Sequence, residues 1–179
     1  MNNVEIKLKV EVILGEKEFV SYIDQENGLR INGQRIINSW DIQDALKRYI
    51  LRNCGDEEIL EVIAVDEYDR SQIAYNLNIS SQLADDLADE LCQPDAGGTY
   101  PYEFCILLQN HCLSGKKLDE FANCFLEQYQ YLLEVNDKKP DYETMYLLKY
   151  IAQNPNVWES TLEKLRLSNI PMVVEAAKR

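Results

Sequence analysis

Histidine is almost missing from this sequence, and the loops that commonly bind phosphate groups are missing as well. Among 179 residues, His111 is the only imidazole available as a general base. The sequence contains neither a Gly-x-x-x-x-Gly-Lys-Ser loop nor a Gly-x-Gly-x-x-Gly loop, so the two common nucleotide-binding motifs are excluded. No complete set of catalytic residues can be assembled from what remains, and we expect a protein that is not an enzyme.

Long apolar runs are missing too. No stretch reaches the roughly 18 apolar residues that a membrane-spanning helix needs. Residues 1–4 carry no basic patch leading into an apolar stretch, which is the pattern of a secretory signal. The five cysteines are odd in number and follow no such signal, so a disulfide framework is not expected. These features predict a cytoplasmic location, free thiols and no membrane partner.

Closely spaced metal ligands are a further absence. Cys105, His111, Cys112 and Cys124 lie near one another in sequence, but no two cysteines are separated by only two residues, as they are in common zinc sites. The spacing of oxygen ligands in a calcium-binding EF-hand loop is not present either. We therefore predict no metal and no cofactor.

Basic residues are few. The 18 Lys and Arg residues are outnumbered by 31 Asp and Glu residues, which gives a net charge of −13. Most of this excess lies in residues 51–100, where Arg52 and Arg70 are the only basic residues. Because affinity for nucleic acid depends largely on Lys and Arg, direct nucleic-acid binding is disfavoured. The acidic excess instead favours a protein partner with a basic surface.

The hydrophobic patterns predict an α+β fold, with an N-terminal antiparallel sheet and a helix packed on it. The Asn32-Gly33 pair favours a tight hairpin turn that pairs 29–31 with 34–36. A helix is predicted to begin near Ser39 or Asp41 and to end near Asn53. Strand patterns occur at 4–12, 19–23, 59–65 and 73–79, the last two forming a second hairpin.

From Ser81 onward the pattern becomes helical, since Leu83, Leu87 and Leu91 recur at every fourth position. A loop rich in proline and glycine at 93–100 separates a sheet-containing part, 1–92, from a helical part, 101–179. The helical half is predicted to contain two helical hairpins. Its helices are expected at about 101–113, 117–135, 141–153 and 156–167.

One internal similarity is visible in the helical half. Residues 102–108 match residues 142–148 at four of seven positions, at an offset of 40 residues. A helical-hairpin repeat of the HEAT kind has a period of this size. Two stacked hairpins without common ancestry would give the same pattern, and the sequence leaves both possibilities open.

Acidic side chains form the first candidate partner-binding set. They occupy one side of a short helix whose other side carries leucines, and a second group lies nearby in sequence. Like charges at this spacing repel one another by a few tenths of a kcal/mol, which a solvated helix face tolerates. The set is either a solubilising surface or a surface for a basic partner. Its members are Asp85, Asp86, Asp89 and Glu90, with Asp66, Glu67 and Asp69.

Tyrosines form the second candidate set. Tyr142, Tyr146 and Tyr150 step by four residues along one predicted helix and therefore share one face. Aromatic side chains with polar tips are favoured at protein interfaces, although the same spacing also suits packing between neighbouring helices. An exposed tyrosine face would favour an interface.

Three functional hypotheses follow. The leading one is an acidic inhibitor or immunity-type protein that covers a basic, nucleic-acid-handling partner. The second is a non-catalytic subunit or adaptor of a larger assembly, docking through its tyrosine-rich helices. The third is a small hydrolase or transferase that uses His111 beside a thiol or carboxylate. The sequence leaves the oligomeric state open.

Overall fold

A computed structural model describes residues 22–24, 28–31, 34–35, 47–96, 98–135 and 141–178 of the chain. The chain divides into two compact units, residues 1–78 and residues 79–179. The predicted loop at 93–100 lies inside the second unit, between two of its helices.

The prediction of an α+β fold is wrong, because every described element from residue 47 onward is helical. The described residues before 47 contain three short antiparallel strands, β1 (Tyr22–Asp24), β2 (Gly28–Ile31) and β3 (Gln34–Arg35). Strands β2 and β3 pair Arg30 with Arg35 and Ile31 with Gln34, which agrees with the predicted pairing of 29–31 with 34–36. The predicted strand at 4–12 and the predicted helix start near residue 40 lie outside the described residues.

The predicted hairpin between 59–65 and 73–79 is replaced by helices. After a helix that ends at residue 53 (α1, described over 47–53), the first unit contains α2 (Glu57–Ile63), α3 (Glu67–Gln72) and a 3-10 turn at Ile73–Tyr75. Helix caps explain the difference. The Asp56 side chain accepts the amide N–H groups of residues 58 and 59, and Asp66 accepts that of residue 69. Such caps contribute about 1 kcal/mol each, which competes with the strand preference of β-branched residues.

Most helices of the second unit lie where the sequence predicts them, but the helix predicted at 101–113 ends at residue 107 and is followed by a turn. These helices are α4 (Ser81–Leu91), α5 (Tyr102–Leu107), α6 (Gly115–Val135), α7 (Tyr142–Gln153) and α8 (Glu159–Arg166). A further short helix, α9 (Pro171–Ala176), was not predicted. Its N-terminal proline is suited to the first turn, where an amide N–H would have no intrahelical partner.

Contacts link each of these helices to others of the same unit. Helix α6 packs against α7 and α8, while α7 also packs against α9, so alternate helices become neighbours. An aromatic cluster joins the hairpins: the Phe104 ring lies 5.3 Å from that of Phe121, and the Tyr100 ring lies 5.6 Å from that of Phe125. Stacked helical hairpins of this kind have a continuous core shared between successive pairs.

Three buried asparagines mark a structural repeat along the chain. Asn76, Asn110 and Asn154 are each at most 2% exposed, and each accepts through Oδ1 the backbone N–H two residues later, at 2.8–2.9 Å. In each case a buried apolar residue follows at the third position and a helix begins at the fifth. The same hydrogen-bonded turn therefore precedes α4, α6 and α8.

The asparagine amides also hold neighbouring turns together within each unit. Asn154 Nδ2 donates to the carbonyls of Leu108 and Asn110, at 2.8 and 2.9 Å. Asn76 Nδ2 donates in the same way to the carbonyls of Leu51 and Cys54, at 2.9 and 2.7 Å. The sequence offset of 40 aligns the starts of α5 and α7, whereas Asn110 and Asn154 are 44 residues apart. The difference between these two offsets, four residues, corresponds to about one extra turn in α7.

Candidate protein-binding surface

Asp85 on α4 is tied to the start of α6. Its carboxylate accepts the Ser114 N–H at 2.9 Å and the Ser114 hydroxyl at 2.6 Å. The same hydroxyl oxygen accepts the Lys117 N–H at 3.1 Å, so Ser114 caps α6. Asp85 therefore has an internal role in joining two helices, and it is only partly exposed.

Asp89, one turn further along α4, forms an ion pair with Lys117 on α6. Its two carboxylate oxygens lie 2.8 and 3.0 Å from Lys117 Nζ. The hydrogen bond to Asp89 is the main reason that the pKa of Lys117 is raised to about 12, with Glu120 contributing as well. Asp89 is thus already neutralised by a cation of its own unit.

The same tether occurs between the next pair of helices. Asp85 lies nine residues after Asn76, and Asp119 lies nine residues after Asn110. Asp119 accepts the Thr161 hydroxyl at 2.6 Å and binds Lys164 Nζ at 2.8 Å, so it joins α6 to α8. These two contacts hold its pKa below the usual range, with Lys164 the larger cause. The repetition indicates that acids at this position serve stacking.

In the first unit, two of the predicted acids have local roles. Asp66 is the N-cap of α3. Asp69 is 4% exposed, forms an ion pair with Lys47 and accepts the Val65 N–H at 3.1 Å. Glu67, in the first turn of α3, is exposed. A carboxylate buried against a lysine is not available to a partner without loss of that pair.

Three of the predicted acids on α4 are exposed, and Asp89 is one of them, with its side chain 59% exposed beside Lys117. Asp86 is exposed and accepts a hydrogen bond from Gln82 Nε2 at 2.8 Å within the same helix. Glu90 is exposed as well. The four acids of α4 therefore do not form one uniform binding surface, since Asp85 and Asp89 are occupied by α6.

The tyrosines of α7 lie on its outer face. Every residue of the opposite face is buried, from Thr144 to Ala152, while Tyr142 is 64% exposed and Tyr146 is 44% exposed. Tyr150 is half-buried, and its ring lies 6.4 Å from that of Tyr146. Lys149 Nζ lies 5.8 Å from the centre of the Tyr146 ring. We call Tyr142, Tyr146 and Tyr150 the tyrosine face.

A tyrosine at the start of α5 is exposed as well. Tyr102, the first residue of α5, is 66% exposed. Glu143 accepts the Tyr100 N–H at 2.6 Å, which brings the N-terminal ends of α5 and α7 together. Tyr102 was not among the predicted binding residues. The signal that could have found it is its alignment with Tyr142 at the offset of 40 residues.

His111 is exposed in the turn between α5 and α6. Its backbone carbonyl accepts a hydrogen bond from Asn156 Nδ2, so the segment has a structural role in the repeat. Among the residues that the structure describes, no three His, Cys, Asp or Glu side chains are grouped so that they could hold a metal ion. None of the helices described combines the length and the apolar character needed to cross a bilayer.

Comparison with known proteins gives no family: no family model, no curated protein and no solved structure matches the chain.

Proposed function

We propose that this protein is a non-catalytic adaptor or subunit that binds a partner protein through the tyrosine face of α7. The observation that carries the proposal is the outward position of Tyr142 and Tyr146 on a helix whose other face is fully packed. Tyrosine is enriched at interfaces because it provides a large contact area at a small cost in side-chain entropy. The inhibitor or immunity-type prediction finds no support in the comparisons or in the structure.

The partner segment that suits this face is basic, with arginine as its main contact. The chain has a net charge of −13, which attracts basic surfaces over long range. Tyrosine rings bind cations through their faces, and Lys149 already lies above the Tyr146 ring. Asp141 and Glu143 at the start of the same helix already accept hydrogen bonds from Thr144 and from the Tyr100 N–H, so the ring faces are the main contacts offered to a cation. Arginine stacks on aromatic rings more readily than lysine.

We expect the Tyr142→Ala/Tyr146→Ala variant to lose most capture of its partner. Removing two exposed aromatic anchors typically costs about 2 kcal/mol or more of binding free energy, or about 30-fold in affinity. The tagged full chain is used to capture proteins from its native lysate at low and high salt, and bound proteins are identified by mass spectrometry. The expected specific partner has a basic surface, and its capture falls in the variant.

Tyr68→Ala is the matched control, because Tyr68 is also an exposed tyrosine, at 56%, but belongs to α3 in the other unit. It should capture the partner as well as the unchanged chain does. Equal capture by the tyrosine-face variant and the unchanged chain would contradict the proposal. Capture of an acidic partner whose binding depends on neither tyrosine would also contradict the proposal.

A further inference from the structure

Two cysteines of the second unit lie on neighbouring helices within one framework of contacts. Cys92 is the C-cap of α4 and is half-buried, whereas Cys124 lies on α6 and is exposed. Asp89, three residues before Cys92, forms the ion pair with Lys117 on α6 at 2.8 Å. This contact, which lies N-terminal to both cysteines in sequence, fixes the end of α4 against α6.

A second contact lies C-terminal to both cysteines in sequence. Tyr100, in the segment that follows α4, has its hydroxyl 3.2 Å from Gln128 Oε1 on α6. Cys124 lies seven residues after Lys117 and four residues before Gln128, and these spacings place all three on one side of the helix. Asp89 and Tyr100, which flank Cys92 in sequence, therefore both contact the side of α6 that carries Cys124.

Electrostatics agree with this placement. Burial raises the pKa of Cys92 to about 11, and the charge of the Cys124 thiolate is the second cause. The pKa of Tyr100 is raised by burial and, in addition, by both cysteines. The two thiols are thus close enough to influence each other and the same tyrosine.

We propose that Cys92 and Cys124 form a reversible modification site that is oxidised to an intramolecular disulfide by a small-molecule disulfide, such as oxidised glutathione. This inference does not depend on the proposed function. The Cys124 thiolate attacks one sulfur of oxidised glutathione, which forms a mixed disulfide and releases one glutathione thiolate. The Cys92 thiolate then attacks the Cys124 sulfur and releases the second glutathione. Two protein thiols lose two protons and two electrons, and one glutathione disulfide is reduced to two thiols.

Ring closure should be slow at neutral pH and faster in alkali. Burial, the main cause of the raised pKa of Cys92, persists in the mixed disulfide, whereas the repulsion from the Cys124 thiolate is then absent. The rate of closure should rise by about tenfold per pH unit for as long as the pH lies below the pKa of Cys92 in the mixed disulfide.

The test incubates the reduced full chain with oxidised glutathione at pH 8 and pH 9. Samples are acidified, free thiols are alkylated, and the digest is analysed by mass spectrometry. We expect a peptide that links Cys92 to Cys124 and the loss of these two thiols among the five. Stable glutathione on Cys124 beside an alkylated Cys92, or a disulfide from Cys124 to another cysteine, would overturn the inference.

Two variants sharpen the result. Cys92→Ser removes the second step, so glutathione should remain on Cys124 as a stable adduct. Cys105→Ser removes a half-buried thiol on α5 and should leave formation of the disulfide unchanged. If glutathione leaves Cys124 equally fast with and without Cys92, the proposed disulfide does not form.

Discussion

Replacing Asn154 by alanine is expected to lower the free energy of unfolding of the second unit by about 3 kcal/mol. The side chain is 1% exposed, donates to the carbonyls of Leu108 and Asn110, and accepts the Asn156 N–H. Its removal leaves two buried carbonyls and one amide without these partners. Each unsatisfied buried group costs about 1–3 kcal/mol, partly offset where water enters.

Urea unfolding measures this effect, with the slope of the transition checked for constancy. Asn154→Asp should be at least as destabilising, because a carboxylate cannot donate to the two carbonyls and is repelled by them. Asn123→Ala is the matched control. Asn123 contacts Asp119 and Lys164 at the partly exposed side of α6, and its loss should cost less than about 1 kcal/mol. Equal costs for Asn154→Ala and Asn123→Ala would contradict a structural role for the buried asparagines.

Replacing Gly115 by alanine is expected to destabilise the second unit by about 2 kcal/mol, although alanine is normally the better helix former. A Cβ atom at this position would lie 2.6 Å from the Asn156 carbonyl oxygen and would also overlap the Trp158 indole. The indole is 49% exposed and can move, but the carbonyl belongs to the turn held by Asn154. Crowding of this kind typically costs about 1–3 kcal/mol.

The control for this prediction is Ser81→Ala. Ser81 starts α4 five residues after Asn76, as Gly115 starts α6 five residues after Asn110, and Ser81 is exposed. Thermal unfolding should show a clear loss for Gly115→Ala and little change for Ser81→Ala. If the Gly115→Ala variant is as stable as the unchanged chain, the close approach of the Asn156 carbonyl to Gly115 is not required for stability.

The longer helices of the second unit were predictable from sequence because they are periodic and because their breaks contain proline, glycine and asparagine. The structures of segments 59–65 and 73–79 were not predictable. Residues 59–65 are rich in β-branched residues, and residues 73–79 alternate between apolar and polar positions. The helix cap Asp56 lies three residues before the first segment, and the cap Asp66 directly follows it. Period alone does not separate a strand from a helix of two turns.

The acidic residues show a second limit of sequence reasoning. Asp85, Asp86, Asp89 and Glu90 look alike in sequence, yet Asp85 and Asp89 reach Ser114 and Lys117, which lie 29 and 28 residues away. Contacts at this separation depend on how the helices stack and cannot be inferred from spacing. The spacing of the three tyrosines predicts that they share one face of a helix. The exposure of this face could be inferred only from the structure, which shows that the opposite face of α7 is buried.

Asp85 and Asp89 hold α4 against α6, and we propose that the tyrosines of α7 bind the partner. The most direct test compares Asp85→Asn/Asp89→Asn with Tyr142→Ala/Tyr146→Ala, measuring both urea unfolding and affinity for the captured partner. We expect the acid variant to lose stability but to bind with unchanged affinity under conditions where it is folded, whereas the tyrosine variant should keep its stability and lose binding. Loss of binding in the folded acid variant, with binding retained by the tyrosine variant, would contradict this division of roles.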